Sequence, residues 1–343
     1  MAKGHRLLDY RVFLRQFPQG QPHWGQCEFL FDPEAREYDW LVVYDDLAPQ
    51  GQERFSTRVE QLSCPQQNTV LITAEPSSIK FYGADFLNQF GVIITSQESW
   101  AIPHQQTIRT QPSLRWFYGV SDNTLVSYDE MQINVPLDKS RDLSTVCSNK
   151  QQKNTCHHLR FAFTQRLREC YPEMDVFGRG VRPIKDKAES LDPYRYHIVI
   201  ENHIGEHHWT EKLADAFLGA TLPFYYGCPN VLNYFPQGSL IPIDIRDFDA
   251  AFRTIREAIE SHQFERRLST ILEARRRVLD EYNLFSVLSR EIERRHDPTV
   301  ISQPSAKLWS RHSSRYRTVK HTFKFAIEQW RMKRVRRSHQ RAA

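Results

Sequence analysis

Asn202, Thr210, Glu211 and Lys212 are the residues whose types and spacing suit chemistry on a phosphorylated ligand. The run Y-R-Y-H-I-V-I-E-N ends in an acid and an amide. A polar loop with three histidines follows, and Thr210-Glu211-Lys212 then opens an apolar segment of helical character. A threonine at that position caps a helix, whose first turn offers unpaired N–H groups and a partial positive charge. Those groups suit a phosphate. An ammonium at Lys212 would meet a diphosphate, and a carboxylate at Glu211 would accept from ribose hydroxyls. Taken alone, the same three residues also describe an ordinary solvated helix start with an acid well placed in its first turn.

The elements around this segment must position it. Apolar runs at 143–147, 174–177, 196–200, 222–226 and 240–243 read as strands. Helical patterns lie between and after them at 156–170, 210–218, 248–261 and 263–282. The helix at 156–170 places Leu159, Phe163 and Leu167 on one face. Upstream, strands are expected at 24–31, 39–44, 69–73 and 92–95, with a helix from Pro76 to about residue 90 that buries Ile79, Phe81, Phe86 and Leu87. Residues 100–140, with Pro103, Pro112 and Pro136, read as loops and a linker. Strand alternating with helix predicts mostly parallel sheets covered on both faces. Ligands bind such sheets in crevices at the carboxyl ends of the strands.

A chain of 343 residues exceeds what one core usually holds, so two domains are expected. They are placed at 1–138 and 139–300, followed by a tail at 301–343. The net charge of +5 is uneven. Residues 307–343 hold twelve Lys and Arg against one acid, Glu328, so the rest of the chain is acidic. A basic body stripe for nucleic acid is not indicated. Val319, Phe323, Ile327 and Trp330 fall on one helical stripe of the tail, opposite basic residues. That pattern predicts either peripheral contact with a membrane or packing of the stripe on the body. The charged first twenty residues show no secretory apolar region. With six cysteines and no C-x-x-C pair, this predicts a cytoplasmic protein with reduced thiols, peripheral at most at the inner face of the cell membrane.

The run Y-R-Y-H-I-V-I-E-N, then H-W-T-E-K-L-A-D-A-F, then L-P-F-Y-Y-G-C-P-N resembles the donor-binding segment of the α-1,3-fucosyltransferase family, family 10 of the glycosyltransferases. Val146-Cys147-Ser148-Asn149, Leu159-Arg160-Phe161 and Asp175-Val176-Phe177-Gly178-Arg179 extend the likeness upstream. It covers about residues 143–248. The resemblance implies an α/β fold of GT-B type with two facing Rossmann-like domains, GDP-fucose as donor and inversion at the anomeric carbon. It gives Arg160 and Lys212 the diphosphate and Glu211 the ribose. Asn202, His208, Ser148 and Asn149 line the donor site, and Glu75 in Ala74-Glu75-Pro76 is the general base. With two cations and a helix end available, no divalent metal is demanded. Ile200 stands where the family has Phe before Glu-Asn, and His208 where it has Tyr, so a same-fold enzyme using another nucleotide sugar stays open. A non-catalytic binder of glycan or nucleic acid is a further alternative. His203, His207, His208 and His157-His158 do not complete a zinc pattern. Cys228 lacks a partner base, and Asp45-Asp46 reads as a turn cap.

Overall fold

The computed structural model describes residues 10–32, 34–111, 115–148, 156–300 and 306–342. The chain divides into two compact units. One is built from Gly25–Ser113 and Leu288–Ala343, the other from Arg11–Trp24 and Leu114–Val287. The division does not fall at 138. Residues read as a linker carry Trp116, Tyr118, Tyr128 and Met131, all buried in one cluster with Trp209 and Phe217 of the second unit. Their short helix Tyr128–Ile133 starts in a capping box between Ser127 and Glu130. The apolar content of this segment outweighs its prolines.

The first unit holds a four-stranded parallel sheet in the order β1 (Leu41–Tyr44), β2 (Thr69–Ile72), β3 (Val92–Thr95), β4 (Thr107–Arg109). The fourth strand lies in the segment expected to be loop. The β2 and β3 side chains are all buried, as strands covered on both faces require. The strand expected at 24–31 is only a pair of two-residue strands, His23–Trp24 and Cys27–Glu28. The helix expected from Pro76 is a turn followed by the single-turn α1 (Ala84–Leu87), because Gly83 at φ +89° precedes it. Ile79 is accordingly exposed, whereas Phe86 and Leu87 are buried.

The second unit holds a five-stranded sheet, all parallel. Its strands are β5 (Arg141–Val146), β6 (Asp175–Phe177), β7 (Tyr194–Ile200), β8 (Leu222–Tyr226) and β9 (Ile241–Pro242), in the spatial order β9-β8-β7-β5-β6. Alternate residues of β7 serve two cores. Tyr196, Ile198 and Ile200 pack with Phe163 and Leu167 of α2 (His157–Cys170) and with Phe248 and Ile255 of α3 (Phe248–Glu260). Val199 packs on the other face with Leu213 and Phe217 of α4 (Glu211–Leu218) and with Val278 of α5 (Leu268–Asp280). Each fully buried side chain of this size contributes about 1.5–3 kcal/mol. Both units thus carry an all-parallel sheet of the α/β class.

Residues 306–342 pack on the first unit. Lys307–Trp309 pairs antiparallel with Val59–Gln61, and Leu308 is fully buried. Helix α6 (Arg311–Tyr316) leads into α7 (Val319–Ala342). The face of α7 that meets the unit carries Phe325, stacked on Phe81 at 5.7 Å, and Glu328, which accepts from the Ala84 N–H at 3.1 Å. The stripe read from the sequence is not that face: Val319, Phe323, Ile327 and Trp330 are exposed.

Candidate active site

In the second sheet the chain runs from β5 to β6 on one side, then crosses to β7 on the other. The carboxyl ends of β5 and β7 therefore flank a topological switch point. Ser148 follows β5, and Glu201-Asn202 follows β7. Arg160, on the first turn of α2, ties these two loops together. Its Nη1 donates to Asn202 Oδ1 at 2.9 Å and its Nη2 to Ser148 Oγ at 3.5 Å. The expected apolar face of α2 is corrected here: Leu159 is 44% exposed and Arg160 takes a buried place beside Phe163 and Leu167. Arg160 Nε is buried and has no partner among the described residues. A buried guanidinium with an unused donor suits a bidentate anionic ligand.

Thr210 caps α4 with extended backbone. It is fixed from beneath by Glu201, which is wholly buried. Glu201 Oε1 accepts from the Thr210 N–H at 2.8 Å, and Oε2 accepts from Thr210 Oγ1 at 2.7 Å. The three N–H bonds of Lys212 Nζ go to Thr210 Oγ1 at 3.0 Å, Glu211 Oε1 at 3.1 Å and Glu201 Oε2 at 3.3 Å. Burial works against the Lys212 charge, yet Glu211 and Glu201 outweigh it and raise the pKa above the ordinary lysine value. Burial likewise opposes the Glu211 charge, but Lys212 and Lys187 bring its carboxyl down to about 2. Both groups stay ionised near neutrality.

Arg160 and Lys212 line one pocket, together with Lys187 and Asp215. Lys187 sits in a short 3-10 turn ahead of β7, and its Nζ pairs with Asp215 Oδ2 at 2.6 Å. Asp215 Oδ1 accepts from the N–H groups of Phe117 and Tyr118 at 2.9 and 3.0 Å. His197 closes the pocket floor, and burial with the Lys187 charge pushes its pKa down to about 3, so it is neutral. Sequence reasoning missed Lys187, Glu201, Asp215 and His197. Glu201 alone had a signal, an acid at a strand end facing a Thr-x-Lys helix start.

The remaining expected residues fall as follows. Asn202, Ser148 and Glu211 touch the pocket cations through the bonds given above. Asn149 lies outside the described residues. His208 is buried in the loop before Thr210, its ring 5.0 Å edge-on from His203, and is not on the pocket wall. Glu75 belongs to the first unit, after the carboxyl end of β2, where its carbonyl accepts from Gln97 Nε2 at 2.7 Å. Asp45 is a buried structural acid, bonded to Lys80 at 2.7 Å and to the Tyr82 hydroxyl at 2.6 Å. Among the described residues no group of three or more His, Cys, Asp or Glu is placed to hold a metal ion.

Two glycines of the resemblance have steric reasons. A Cβ on Gly178, at φ +130°, would lie 2.4 Å from the Cys147 carbonyl oxygen, beside the Ser148 loop. A Cβ on Gly227 would lie 2.6 Å from Glu201 Cγ and 2.5 Å from Tyr225 Oη.

Part of the chain matches a known family model. Residues 137–261 match the model described as glycosyltransferase family 10 (fucosyltransferase), C-terminal region. A stretch of 74 residues is 35% identical to the alpha-(1,3)-fucosyltransferase FucT of Helicobacter pylori, covering 21% of this chain and 16% of that protein. The chain thus matches about a sixth of that relative's length. A solved alpha1,3-fucosyltransferase with GDP-fucose is 18% identical, over 78% of this chain and 82% of that one, with a TM-score of 0.42. One with GDP is 17% identical, over 79% and 97%, with a TM-score of 0.44. The pneumococcal O-GlcNAc transferase GtfA with UDP and GlcNAc is 13% identical, over 67% and 54%, with a TM-score of 0.42.

Proposed function

We propose, from the match of residues 137–261 to the family 10 glycosyltransferase C-terminal region, that the protein transfers fucose from GDP-fucose to a glycan hydroxyl with inversion. The observation that carries the reading is the convergence of Arg160, Lys187 and Lys212 on one pocket at the switch point of the second sheet. In this reading Arg160 takes two diphosphate oxygens from its place between Ser148 and Asn202. The diphosphate replaces Glu211 as one acceptor of the Lys212 ammonium, and the freed Glu211 carboxylate accepts from the ribose. The acceptor oxygen attacks the anomeric carbon as the bond from that carbon to the diphosphate oxygen breaks. Glu75 takes the acceptor proton, a step worth about 10²–10⁴ in rate. Fixed cations and the α4 N-terminus meet charge that grows on the leaving diphosphate, so they favour the transition state over the ground state. Three side-chain cations supply that charge, and the reading requires no divalent metal.

A second reading keeps the chemistry and changes the sugar, because His208 stands where the family carries tyrosine. The test offers a panel of nucleotide sugars to the purified protein, with and without EDTA. Release of GDP from GDP-fucose, unaffected by EDTA, is expected. Turnover of another donor with GDP-fucose inert rejects the fucose assignment, and loss with EDTA rejects the metal-free one. Lys212→Ala is expected to weaken GDP binding at least tenfold, whereas Glu75→Gln is expected to abolish transfer and leave GDP binding intact. A chain that releases no nucleotide from any donor, and in which Glu75→Gln changes nothing, is a binding protein.

A further inference from the structure

The turn that carries Glu75 is braced by a side chain from the neighbouring strand end. Residues 74–80 follow the carboxyl end of β2, and Ser96-Gln97 follow that of β3. Within the turn the Ile79 and Lys80 N–H groups donate to the Pro76 carbonyl at 2.9 and 3.0 Å. Gln97 Nε2 donates to the Glu75 carbonyl at 2.7 Å and to the Lys80 carbonyl at 3.2 Å, so one amide joins the two ends of the turn. The Lys80 end has an anchor of its own, because its ammonium pairs with Asp45 at 2.7 Å. Gln97 is itself fixed through its backbone N–H, which donates to Thr95 Oγ1 at 2.9 Å. That hydroxyl lies 2.5 Å from Thr73 Oγ1. The backbone of Glu75 is thereby held from β3 as well as from its own strand.

Two carbonyl oxygens face Gln97 Nε2, which fixes the amide's orientation: turned over, Oε1 would meet two acceptors. In the orientation that remains, Oε1 is buried and has no partner among the described residues. Gln97 as a whole is 2% exposed. A buried acceptor without a donor is unfavourable, and an apolar side chain of similar size avoids it. The two donated bonds are therefore what the amide offers at this position. Their effect falls on Glu75, which is half-buried while Pro76, Ser77 and Ser78 beside it are buried. Groups that act in a reaction must be held within about 0.5 Å of the productive geometry. A misplacement of about 1 Å can cost a factor of about 10² in rate.

We propose that Gln97 is a positioning residue, holding the Glu75 carboxylate where the attacking hydroxyl loses its proton. This role rests on Glu75 being the general base of the proposed reaction. The assay is GDP release from GDP-fucose with water as acceptor. The water oxygen bonds to the anomeric carbon, its proton passes to Glu75, and the electron pair of the broken bond leaves on GDP. Gln97→Leu removes both donors at similar volume, and Gln97→Asn keeps an amide one methylene short of the two carbonyls. Each is expected to lower kcat at least tenfold. KM for GDP-fucose and the GDP affinity from calorimetry should stay within about twofold of the parent chain, with the number of GDP sites per chain unchanged. Hydrogen exchange of residues 74–80 should quicken in both variants. Should Gln97→Leu not fold, Gln97→Asn decides alone. An undiminished kcat, in a background where Glu75→Gln is inactive, overturns the proposal and leaves the transfer reading intact. A fall in kcat matched by an equal loss of GDP sites also overturns it, because a merely structural role predicts that pairing. A parent chain that releases no GDP, or a Glu75→Gln chain with parental activity, sinks the underlying reading, and the role of Gln97 with it.

Discussion

His197 gives the second unit a dependence on pH whose sign and size follow from its neighbours. The Ser144 hydroxyl lies 2.6 Å from the Ser190 carbonyl oxygen, to which its one proton goes, and 2.7 Å from His197 Nδ1. The imidazole therefore donates from Nδ1 and is satisfied without charge. Burial first, and Lys187 second, push its pKa from 6.5 to about 3. Below pH 6.5 the unfolded chain takes up a proton that the folded chain refuses. Stability therefore falls as pH drops from about 6.5 towards about 3, and is flat in this respect above 7. The slope approaches 1.4 kcal/mol per pH unit, which amounts to about 2 kcal/mol between pH 7.5 and 5. The assay is urea unfolding across that range, followed by tryptophan fluorescence, since Trp209 is buried in the same unit. His197→Asn keeps an N–H for Ser144 and removes the titration. Its own stability is lower at neutral pH, but the gap to the parent chain should narrow by about 2 kcal/mol at pH 5. Parallel profiles for the two proteins would falsify the assignment of a neutral, buried imidazole.

Two further substitutions probe the support beneath Lys212. Glu201→Gln removes the charge that three donors share and is expected to cost about 1.5–3 kcal/mol in urea unfolding. Because it also takes one negative charge from beside Lys212, calorimetry should find GDP bound at least as tightly; affinity that falls together with stability contradicts a purely supporting role. Gly227→Ala forces a methyl within 2.6 Å of Glu201 Cγ. It should lower the unfolding midpoint by the equivalent of about 1–3 kcal/mol, and an unchanged midpoint shows that the turn has room to spare.

The second sheet was largely legible because its signals are strong and local. The strand Leu222–Tyr226 has the expected bounds, and β7 and α4 are within two residues of theirs. Long apolar runs, a Thr cap and turn glycines leave few competing structures. The first unit was harder. Its helix after Pro76 fails at Gly83, where a positive φ sets the start of a one-turn helix, and Thr107–Arg109 is too short and polar to stand out from its surroundings. Of the two roles expected for the tail stripe, packing on the body fails for a different reason. The tail has two apolar faces, and the one with the more regular spacing of large side chains is not the one that packs. Phe325 is held by Phe81, a contact between segments more than 200 residues apart, which no local periodicity contains.

The charged pocket residues missed by sequence share one property: each is paired with a charge that another segment supplies. Lys212 meets Glu201 and Glu211, and Lys187 meets Asp215, so with Arg160 the site holds three cations and three carboxylates before any ligand arrives. That balance explains why so much charge tolerates partial burial, since an unpaired buried ion costs several kcal/mol. It also orders the groups by how readily each can turn to a ligand. Glu201 and Asp215 are wholly enclosed and each holds backbone N–H groups, so they stay with the protein. Glu211 is a quarter exposed at the start of α4 and is the acid of the three that can swing away into solvent. In the proposed reading an arriving diphosphate has one carboxylate to displace, and Lys212 is the cation it gains by doing so.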